Sequence, residues 1–515
     1  MVPTRMPTFT YTMKKIVVAN RGEIALRIIR SVHEMGLQAV AVFSTADRDM
    51  PFVQAADEAV CIGDPPSAQS YLRGEKIIEV ARSLGADAIH PGYGFLSENA
   101  AFARQVEAAG LVFIGPSAHS IAMMGDKLTA KQAARKFGVP LVPGTDEPLT
   151  DSRQALAVAR AIGFPVLIKA SAGGGGKGMR IVRQAEELEE QLATARREAK
   201  SAFGDDAVFI EKYVGSPRHI EIQVLGDQHG HYLCLFEREC SIQRRHQKVI
   251  EEAPSTCLSP AMRKEMGACA VNVARACGYY GAGTVEFLVD DSDEQHPAFY
   301  FLEMNTRLQV EHPVTEWITG LDLVKEQIRI ARNEPLSLKQ EALRMQGHAI
   351  ELRVCAEDPT HDFLPDTGTL LQYERPSGPG VRVDDGYRVG LEVPVYYDPL
   401  LAKLIVWGED REEAIRRMVR AISEYQVVGV ETTLGFGSWA VQHPAFVSGK
   451  FNTHFIAQYF SPEVLQHADP EISAVAGLLA VHLWEQQQAG LVAANDGNPP
   501  LKQTRWKRRT RRDRF

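Results

Sequence analysis

A run of glycines between two apolar segments is the first feature of this sequence that could do chemistry. The loop 172–178, AGGGGKG, follows the apolar run PVLIKA and precedes MRIVR. Because glycine has no Cβ, its backbone N–H groups can close over phosphate oxygens, and nearby lysines neutralise their charge. It is not a Walker A loop, since Gly178 follows Lys177 where that motif requires serine or threonine. A flexible turn is the alternative, but four glycines cost much backbone entropy, so we favour a phosphate loop.

Three polar side chains on two apolar runs could hold a metal ion. Glu303 and Asn305 lie two residues apart on FYFLEMN, so a strand would project both from the same face. Glu286 on GTVEFLV adds a second carboxylate if the two strands pair. Hard oxygen ligands suit Mg²⁺, which binds one or two carboxylates together with nucleotide phosphates. A solvated strand face with charge pairs is the alternative, and the glycine loop makes it the less favoured one.

Two dense polar stretches could bind an anionic substrate. In the segment 307–313, RLQVEHP, Arg307 can hold a small oxyanion, and Glu311, four residues on, can accept a proton from it. The stretch 244–248, RRHQK, adds cations that could serve phosphates or an anionic substrate. A surface charge run is the usual explanation for such clusters, but this one is bordered by apolar runs.

Strands alternating with helices must position these groups. From residue 14 to about 125, short β-branched runs alternate with amphipathic stretches of helical period, which predicts a doubly wound, parallel α/β domain. Residues 126–347 carry more strands than helices, which is typical of an α+β domain on antiparallel sheet. Residues 348–460 predict a third domain, mainly antiparallel with helices. We expect a disordered leader over 1–13 and a helical extension with a basic tail over 461–515.

Composition and charge argue against several classes of protein. The 515 residues carry 57 Lys and Arg against 65 Asp and Glu, a net charge of −8, which argues against a nucleic-acid-binding surface. The 7 cysteines contain no C-x-x-C pair, so neither a disulfide framework nor a structural zinc site is indicated. Apolar runs fall short of the ~20 residues that span a bilayer. We therefore expect a cytoplasmic protein with no membrane partner.

Ten motifs in unbroken order over residues 14–460 resemble the biotin carboxylase family, the ATP-grasp component of biotin-dependent carboxylases. In sequence order they are NRGEIALRIIR, HPGYGFLSEN, MGDK, IKASAGGGGKGMR, EKY, RHIEIQV, ERECSIQRRHQKVIEEAP, GAGTVEFL, EMNTRLQVEHPVTE and GHAIELRVCAEDP. The departures are mild: Ala172 stands where many members have glycine, and Val214 stands where leucine is frequent. No polar group that the chemistry needs is missing.

The resemblance implies a role for each group of site residues. ATP would be bound by Lys127, Lys169, the lid glycines Gly175 and Gly176, the adenine segment Glu211, Lys212, Tyr213 and Val214, and by His219, Gln243 and His246. Glu286 and Glu303, with Asn305, would hold Mg²⁺ or Mn²⁺. Lys248, Arg307, Gln309, Val310 and Glu311 would surround bicarbonate, and Arg353 would face the ureido oxygen of biotin.

By the same resemblance, ATP would phosphorylate bicarbonate to carboxyphosphate, with Glu311 as general base, and biotin would then be carboxylated. The biotin would sit on a separate carrier protein, because the one lysine that follows a methionine, Lys14, opens the first strand. Expected partners are that carrier, carboxyltransferase subunits and a second copy in a homodimer. The family serves acyl-CoA and pyruvate carboxylases, and we favour acetyl-CoA and fatty acid synthesis. The competing interpretations are another ATP-grasp ligase and a nucleotide-binding regulatory protein without turnover.

Overall fold

The structure is a computed structural model of the 515-residue chain. It describes residues 13–145, 148–149, 151–170, 179–292, 297–465, 475, 478–479, 481–482 and 484, except for the side chains of 127, 128 and 203. The chain divides into two compact units, Met1–Ser461 and Pro462–Phe515.

The first part of the larger unit is a parallel sheet with helices in its connections. Its elements are β1 (Lys15–Val18), α1 (Gly22–Glu34), β2 (Gln38–Ser44), α2 (Pro51–Ala55), β3 (Glu58–Gly63), α3 (Gly74–Ser83), β4 (Ala88–His90), α4 (Ala100–Ala108), β5 (Val112–Phe113) and α5 (Ala118–Gly125). The strand order is β3-β2-β1-β4-β5, with every pairing parallel. The order reverses at β1, which is the arrangement of a doubly wound sheet.

Alternate residues of β1 belong to different cores, which shows that both faces of this sheet are covered. Ile16 and Val18 pack in the core that contains α1, whereas Val17, and Ala19 directly after the strand, pack in the core that contains α3 and α4. A strand buried on both faces reads as an apolar run without alternation, as KIVV does. The expected doubly wound α/β architecture is confirmed.

A small antiparallel sheet carries the ends of the glycine loop. This part consists of α6 (Lys127–Lys136), α7 (Ser152–Ile162), β6 (Val166–Ala170), β7 (Arg180–Val182), α8 (Leu188–Phe203) and β8 (Val208–Lys212). The strand order is β7-β6-β8. Helices α7 and α8 pack against the sheet in a core of their own. The loop between β6 and β7 is the predicted phosphate loop, and residues 171–178 lie outside the described residues.

The next elements build most of a large antiparallel sheet. They are β9 (Pro217–Gly226), β10 (Tyr232–Arg244), β11 (Gln247–Ala253), α9 (Pro260–Ala276), β12 (Gly281–Asp290), β13 (Ala298–Asn305), α10 (His312–Thr319) and α11 (Leu323–Ala331). Strand β12 pairs with β13, and Glu286 lies directly opposite Glu303. The condition on which the metal prediction rested is therefore met.

The rest of the larger unit extends the same sheet. Its elements are β14 (His348–Cys355), β15 (Glu357–Asp358), β16 (Leu364–Pro365), β17 (Gly368–Thr369), β18 (Gln372–Glu374), β19 (Val381–Asp385), β20 (Glu392–Val393), β21 (Leu400–Gly408), α12 (Arg411–Glu424), β22 (Gln426–Val428), α13 (Leu434–Gln442), α14 (Pro444–Val447) and α15 (Phe455–Tyr459). The sheet order is β13-β12-β9-β10-β11-β14-β21-β19, with eight strands. It runs without a break across residue 347, a continuity that the sequence pattern did not indicate. The expected mixed α/β and antiparallel fold class is confirmed.

The smaller unit is described in part. It contains a 3₁₀ turn at Pro462–Leu465 and six helical residues between 475 and 484. The predicted basic run 506–515 lies outside the described residues. No helix in the described part of the chain is both long enough and apolar enough to cross a membrane.

Candidate active site

A lysine at the centre of the large sheet, whose side chain is 11% exposed, contacts three carboxylates. Lys248 on β11 donates from Nζ to four side chains: Glu221 at 2.5 Å, Glu311 at 2.7 Å, Glu286 at 3.1 Å and Gln309 at 3.2 Å. Burial alone would lower the pKa of Lys248, but the surrounding carboxylates outweigh it and hold that pKa well above its ordinary value. The lysine is therefore a fixed positive charge at neutral pH.

Glu311 lies between two cations at the start of a helix. Its Oε1 accepts from Lys248, and its Oε2 accepts from Arg353 Nη2 at 2.9 Å. Burial would raise the pKa of Glu311, but Lys248 and Arg353 hold it well below its ordinary value. Glu311 also lies directly before α10, where the helix dipole favours negative charge, and its side chain makes no capping hydrogen bond. The ionised form, which a base needs, is thus stabilised.

Arg353 and Arg307 approach this cluster from different elements. Arg353 on β14 donates from Nε to Glu251 on β11 at 2.7 Å. Arg307, between β13 and α10, donates from Nε to Glu98 at 2.8 Å. Glu98 lies between β4 and α4, so the parallel-sheet part of the chain holds this arginine in place.

Two further residues of the segment 307–313, Gln309 and Val310, line the same cluster. Gln309 donates from Nε2 to Glu286 at 3.3 Å and accepts from Lys248. The backbone oxygen of Val310 accepts from the buried Lys403 at 3.0 Å. All five residues predicted to surround bicarbonate therefore lie in one connected region of the fold.

The predicted metal ligands lie on the neighbouring strands. Glu286 and Glu303 form a cross-strand pair on β12 and β13, and such partners have Cβ atoms about 5 Å apart. His219 Nε2 lies 3.0 Å from Glu286 Oε2. Burial would lower the pKa of His219, but Glu286 outweighs it and raises that pKa. Two carboxylates on one face fit a hard dication such as Mg²⁺.

Asn305, the third predicted ligand, is turned toward protein groups. Its Nδ2 donates to Glu286 at 2.8 Å, and its Oδ1 accepts from Arg307 at 3.3 Å. The amide oxygen would have to leave Arg307 to reach a metal ion. Ligand atoms of His219, Glu221 and Glu286 also lie within 4.8 Å of one another. Glu221 was not among the ligands predicted from the sequence.

Two of the predicted nucleotide residues, Lys169 and Glu211, pair across the small sheet. Lys169 on β6 donates to Glu211 Oε2 at 2.6 Å, and Lys131 on α6 pairs with Oε1. Burial would raise the pKa of Glu211, but the two lysines outweigh it and lower that pKa. In the adjoining segment, the N–H groups of Lys212 and Tyr213 donate to backbone oxygens at 2.8 and 3.1 Å.

A tight turn places two further predicted residues beside this region. Gln243 and Lys248 form a cross-strand pair on β10 and β11, and the hairpin turns through Arg245 and His246. Both turn residues have positive φ, 49° and 67°. Residues other than glycine rarely adopt this backbone conformation, and such residues are common at functional sites. Burial and the nearby charges of His219 and Lys169 lower the pKa of His246.

Four predicted nucleotide residues remain. The side chain of Lys127 and the whole of Gly175 and Gly176 lie outside the described residues. The fourth, Val214, follows β8 directly after Tyr213 and is buried.

Sequence reasoning missed five charged residues that hold the predicted ones in place. They are Glu98, Lys131, Glu221, Arg238 and Glu251. Arg238 is fully buried and donates to Glu221, Gln223, Thr284 and Thr315. Period-two alternation could have found Glu221, because in HIEIQV it lies on the same face as His219. Glu98 had no such signal, since it is 209 residues from Arg307.

A glycine-rich sequence between β6 and β7, a cross-strand pair of carboxylates and the carboxylate cluster around Lys248 are together typical of enzymes that act on nucleotide phosphates. Comparison with known proteins shows to which enzyme family the chain is similar. Sequence models of three domains match in order: biotin carboxylase, N-terminal domain, over 12–121; carbamoyl-phosphate synthase L chain, ATP binding domain, over 126–339; and biotin carboxylase C-terminal domain over 351–458.

Relatives of similar length agree with these matches. The chain is 52% identical to biotin carboxylase of Haemophilus influenzae over 86% of this chain and 98% of that one. It is 51% identical to biotin carboxylase 1 of Bacillus subtilis over 87% and 99%. The chain therefore belongs to the biotin carboxylase family, whose members are ATP-grasp ligases that use ATP, Mg²⁺ and biotin.

A solved structure gives the same result for the fold. The biotin carboxylase domain dimer of Hydrogenobacter thermophilus 2-oxoglutarate carboxylase, in complex with MgADP, ADP and bicarbonate, superimposes with a TM-score of 0.83 at 48% identity. The match covers 89% of this chain and 100% of that one. The expected family, enzyme class and cofactors are confirmed. The names of the relatives point to different final substrates. This solved structure comes from a 2-oxoglutarate carboxylase. A human relative is the propionyl-CoA carboxylase alpha chain, which is 52% identical over 87% of this chain and 61% of its own length.

Proposed function

We propose that this chain uses ATP and bicarbonate to carboxylate the biotin group of a carrier protein, through carboxyphosphate, with release of ADP and phosphate. The observation that carries the proposal is the buried carboxylate Glu311, held between Lys248 and Arg353. A base and two cations at this spacing suit a small anion that must lose a proton.

In the first step, a bicarbonate oxygen attacks the γ-phosphorus of ATP while Glu311 takes the bicarbonate proton, and ADP leaves. Lys248 and Arg307 offset the negative charge of bicarbonate, and Gln309 and Val310 border it. Lys248 is suited to this because its neighbours keep it charged. Phosphoryl transfer is catalysed mainly by positioning and electrostatic stabilisation, so fixed cations matter more than covalent groups.

Glu286 and Glu303 would hold Mg²⁺ or Mn²⁺, with Asn305 joining them if its oxygen turns from Arg307. The metal ion, when bound, supplies charge neutralisation for the transferring phosphoryl group. His219 and Lys248 contact Glu286 where the ion would bind, and they keep this carboxylate neutralised.

Residues on and around the small sheet would bind the nucleotide. Lys127 and Lys169 would contact phosphates, Gly175 and Gly176 would close over them, and the segment 211–214 would hold adenine. Gln243 and His246 would line the site with His219. The tight turn at His246 supports this assignment, because it brings the imidazole close to Lys169.

In the second step, carboxyphosphate breaks into CO₂ and phosphate. The phosphate takes the N1 proton of biotin, and N1 then attacks CO₂. Arg353 stabilises the negative charge that develops on the ureido oxygen. Its pairing with Glu311 supports this role, because the same guanidinium then borders both the bicarbonate and the biotin positions.

Partners and setting are part of the same proposal. The carrier protein, carboxyltransferase subunits and a second copy of the chain in a homodimer complete the enzyme, with acetyl-CoA, and hence fatty acid synthesis, as the favoured acceptor. The family matches support a division into domains at 14–125, 126–347 and 348–460, with 461–515 as an extension. The 7 free cysteines support a reducing, cytoplasmic location.

The test is ADP release by the purified chain with Mg²⁺, ATP and bicarbonate, with and without biotin. We expect biotin to stimulate ADP release and labelled bicarbonate to transfer to a biotinylated carrier protein. ADP release that needs neither bicarbonate nor biotin would contradict the proposal, and so would formation of carbamoyl phosphate from ammonia.

A further inference from the structure

Behind Arg353, two buried glutamates face each other across neighbouring strands. Glu251 on β11 lies directly opposite Glu351 on β14, and both are fully buried. Cross-strand partners have Cβ atoms about 5 Å apart, so their carboxyl groups can reach one another. Arg353 follows Glu351 by two residues and therefore lies on the same face.

The hydrogen bonds of this pair are incomplete among the described residues. Glu251 Oε1 accepts from Arg353 Nε at 2.7 Å, and Nη2 lies 2.6 Å from the same oxygen. Glu251 Oε2 and both oxygens of Glu351 receive no hydrogen bond from any residue that the structure describes. A buried carboxylate without a donor is strongly unfavourable, whereas a protonated carboxyl group can donate its own O–H.

The charges around the pair indicate where one proton lies. Glu351 is faced by Glu251 on β11, Arg353 on its own strand, Lys403 on β21 and Glu311 at the start of α10. Burial raises the pKa of Glu351 well above its ordinary value, and the two glutamates add to the effect. Lys403 opposes it, but its ammonium group already donates to Val310 O.

Glu251 is the more easily ionised member of the pair. Burial raises its pKa to about 7, Arg353 opposes that rise, and Glu311 adds to it. Lys248 is the remaining charge that faces it. At neutral pH the pair therefore holds one proton firmly, on Glu351, and a second one loosely, on Glu251.

We propose that Glu351 stays protonated during the reaction and donates to Glu251 Oε2, so that ionised Glu251 is the positioning residue for Arg353. The inference rests on the proposed function, in which Arg353 faces biotin. Arg353 would then be held by Glu251 through Nε and Nη2 while Nη2 also reaches Glu311. A second ionised glutamate in this pocket would draw Arg353 away from biotin, and the proton prevents this.

The experiment compares biotin-dependent ADP release by the whole chain and by two variants, as a function of pH. Glutamine resembles a protonated glutamic acid in shape and can donate to Glu251, so Glu351→Gln should keep kcat/KM for biotin within about threefold. Glu251→Gln should lower it by about tenfold or more, because Arg353 loses a charged partner. The wild-type rate should fall as the pH falls through about 7, and only Glu251→Gln should abolish this dependence.

Glu252→Gln is the matched control. Glu252 is the next residue on β11, is equally buried, and pairs with Arg411 and His348 instead. It should leave the pH dependence unchanged. Loss of about tenfold or more of kcat/KM in folded Glu351→Gln would overturn the proposal, and so would an unchanged pH dependence in Glu251→Gln.

A second measurement keeps the proton assignment testable if a variant does not fold or if the wild type carboxylates no biotin. Infrared spectroscopy of the wild type well above pH 7, where Glu251 is ionised, should still show the carbonyl stretch of a buried protonated carboxyl group, and this band should be weaker in Glu351→Gln. Absence of this band from the wild type would refute the assignment by itself. Absence of biotin-dependent ADP release would refute the proposed function instead.

Discussion

Replacing Glu311 by glutamine tests the centre of the proposed mechanism. The change keeps the size of the side chain and removes its charge and its ability to take the bicarbonate proton. A positioned general base contributes a factor of about 10² to 10⁴, or roughly 3 to 5 kcal/mol of activation free energy. We expect kcat for bicarbonate-dependent ADP release to fall by that factor.

The structure also indicates what should not change. Glu311 contacts Lys248 and Arg353 on the large sheet, whereas the nucleotide residues Lys169 and Glu211 lie on the small sheet. Nucleotide affinity should therefore stay within about threefold of the wild type. Titration calorimetry with MgADP measures this separately from turnover.

Glu316→Gln is the matched control, since Glu316 is a buried glutamate on α10, the helix that begins directly after Glu311. It pairs with Arg27 and Arg382 at 2.8 and 2.7 Å. Removing one partner from a buried ion pair costs about 3 to 5 kcal/mol of stability, so this variant should unfold more easily but turn over normally when folded. A fall of less than tenfold in Glu311→Gln would refute the base assignment, and equal losses of turnover and nucleotide affinity would make Glu311 structural.

Three other substitutions probe the neighbouring groups. Glu303→Gln should lose most ATP turnover even at saturating Mg²⁺, because an amide is a poorer ligand for a hard dication; unchanged turnover in a magnesium titration would exclude Glu303 as a ligand. Arg353→Ala should lower biotin-dependent ADP release more than the bicarbonate-dependent rate, and equal losses would contradict the division of roles. Arg411 and His348 lower the pKa of Glu252 to about 2 from 4.5 despite its burial. Glu252 therefore contributes about 3 kcal/mol of stability above pH 4.5, and this contribution is lost as the pH falls toward 2. In urea unfolding, Glu252→Gln should have a lower free energy of unfolding than the wild type at neutral pH, and the difference should shrink in acid.

Local patterns were enough to predict part of the geometry of the candidate site. Period-two alternation placed Glu303 and Asn305 on one face, and the pairing of β12 with β13 then brought Glu286 opposite Glu303. The apolar runs and helical periods of residues 14–125 predicted the parallel sheet, because strands buried on both faces have a distinctive composition.

The long-range contacts could not be predicted in this way. Glu98 and Arg307 meet across 209 residues, and Arg353 meets Glu251 across 102. Such contacts depend on how whole sheets pack, and no local period encodes them. For the same reason, the local pattern did not indicate that β11 pairs with β14 across residue 347 in one continuous sheet.

The cations that the proposal assigns to substrates are already paired with the protein's own carboxylates. Lys169 is paired with Glu211, Arg307 with Glu98, and Lys248 with Glu311. Each anionic substrate must therefore exchange places with a carboxylate, which favours ligands that bring both charge and hydrogen-bond acceptors. Lys248 and Arg353 hold the pKa of Glu311 low, so Glu311 is a weak base until Lys248 turns to bicarbonate and Arg353 turns to biotin. Binding of the substrate should thus raise the basicity of the carboxylate that must deprotonate it.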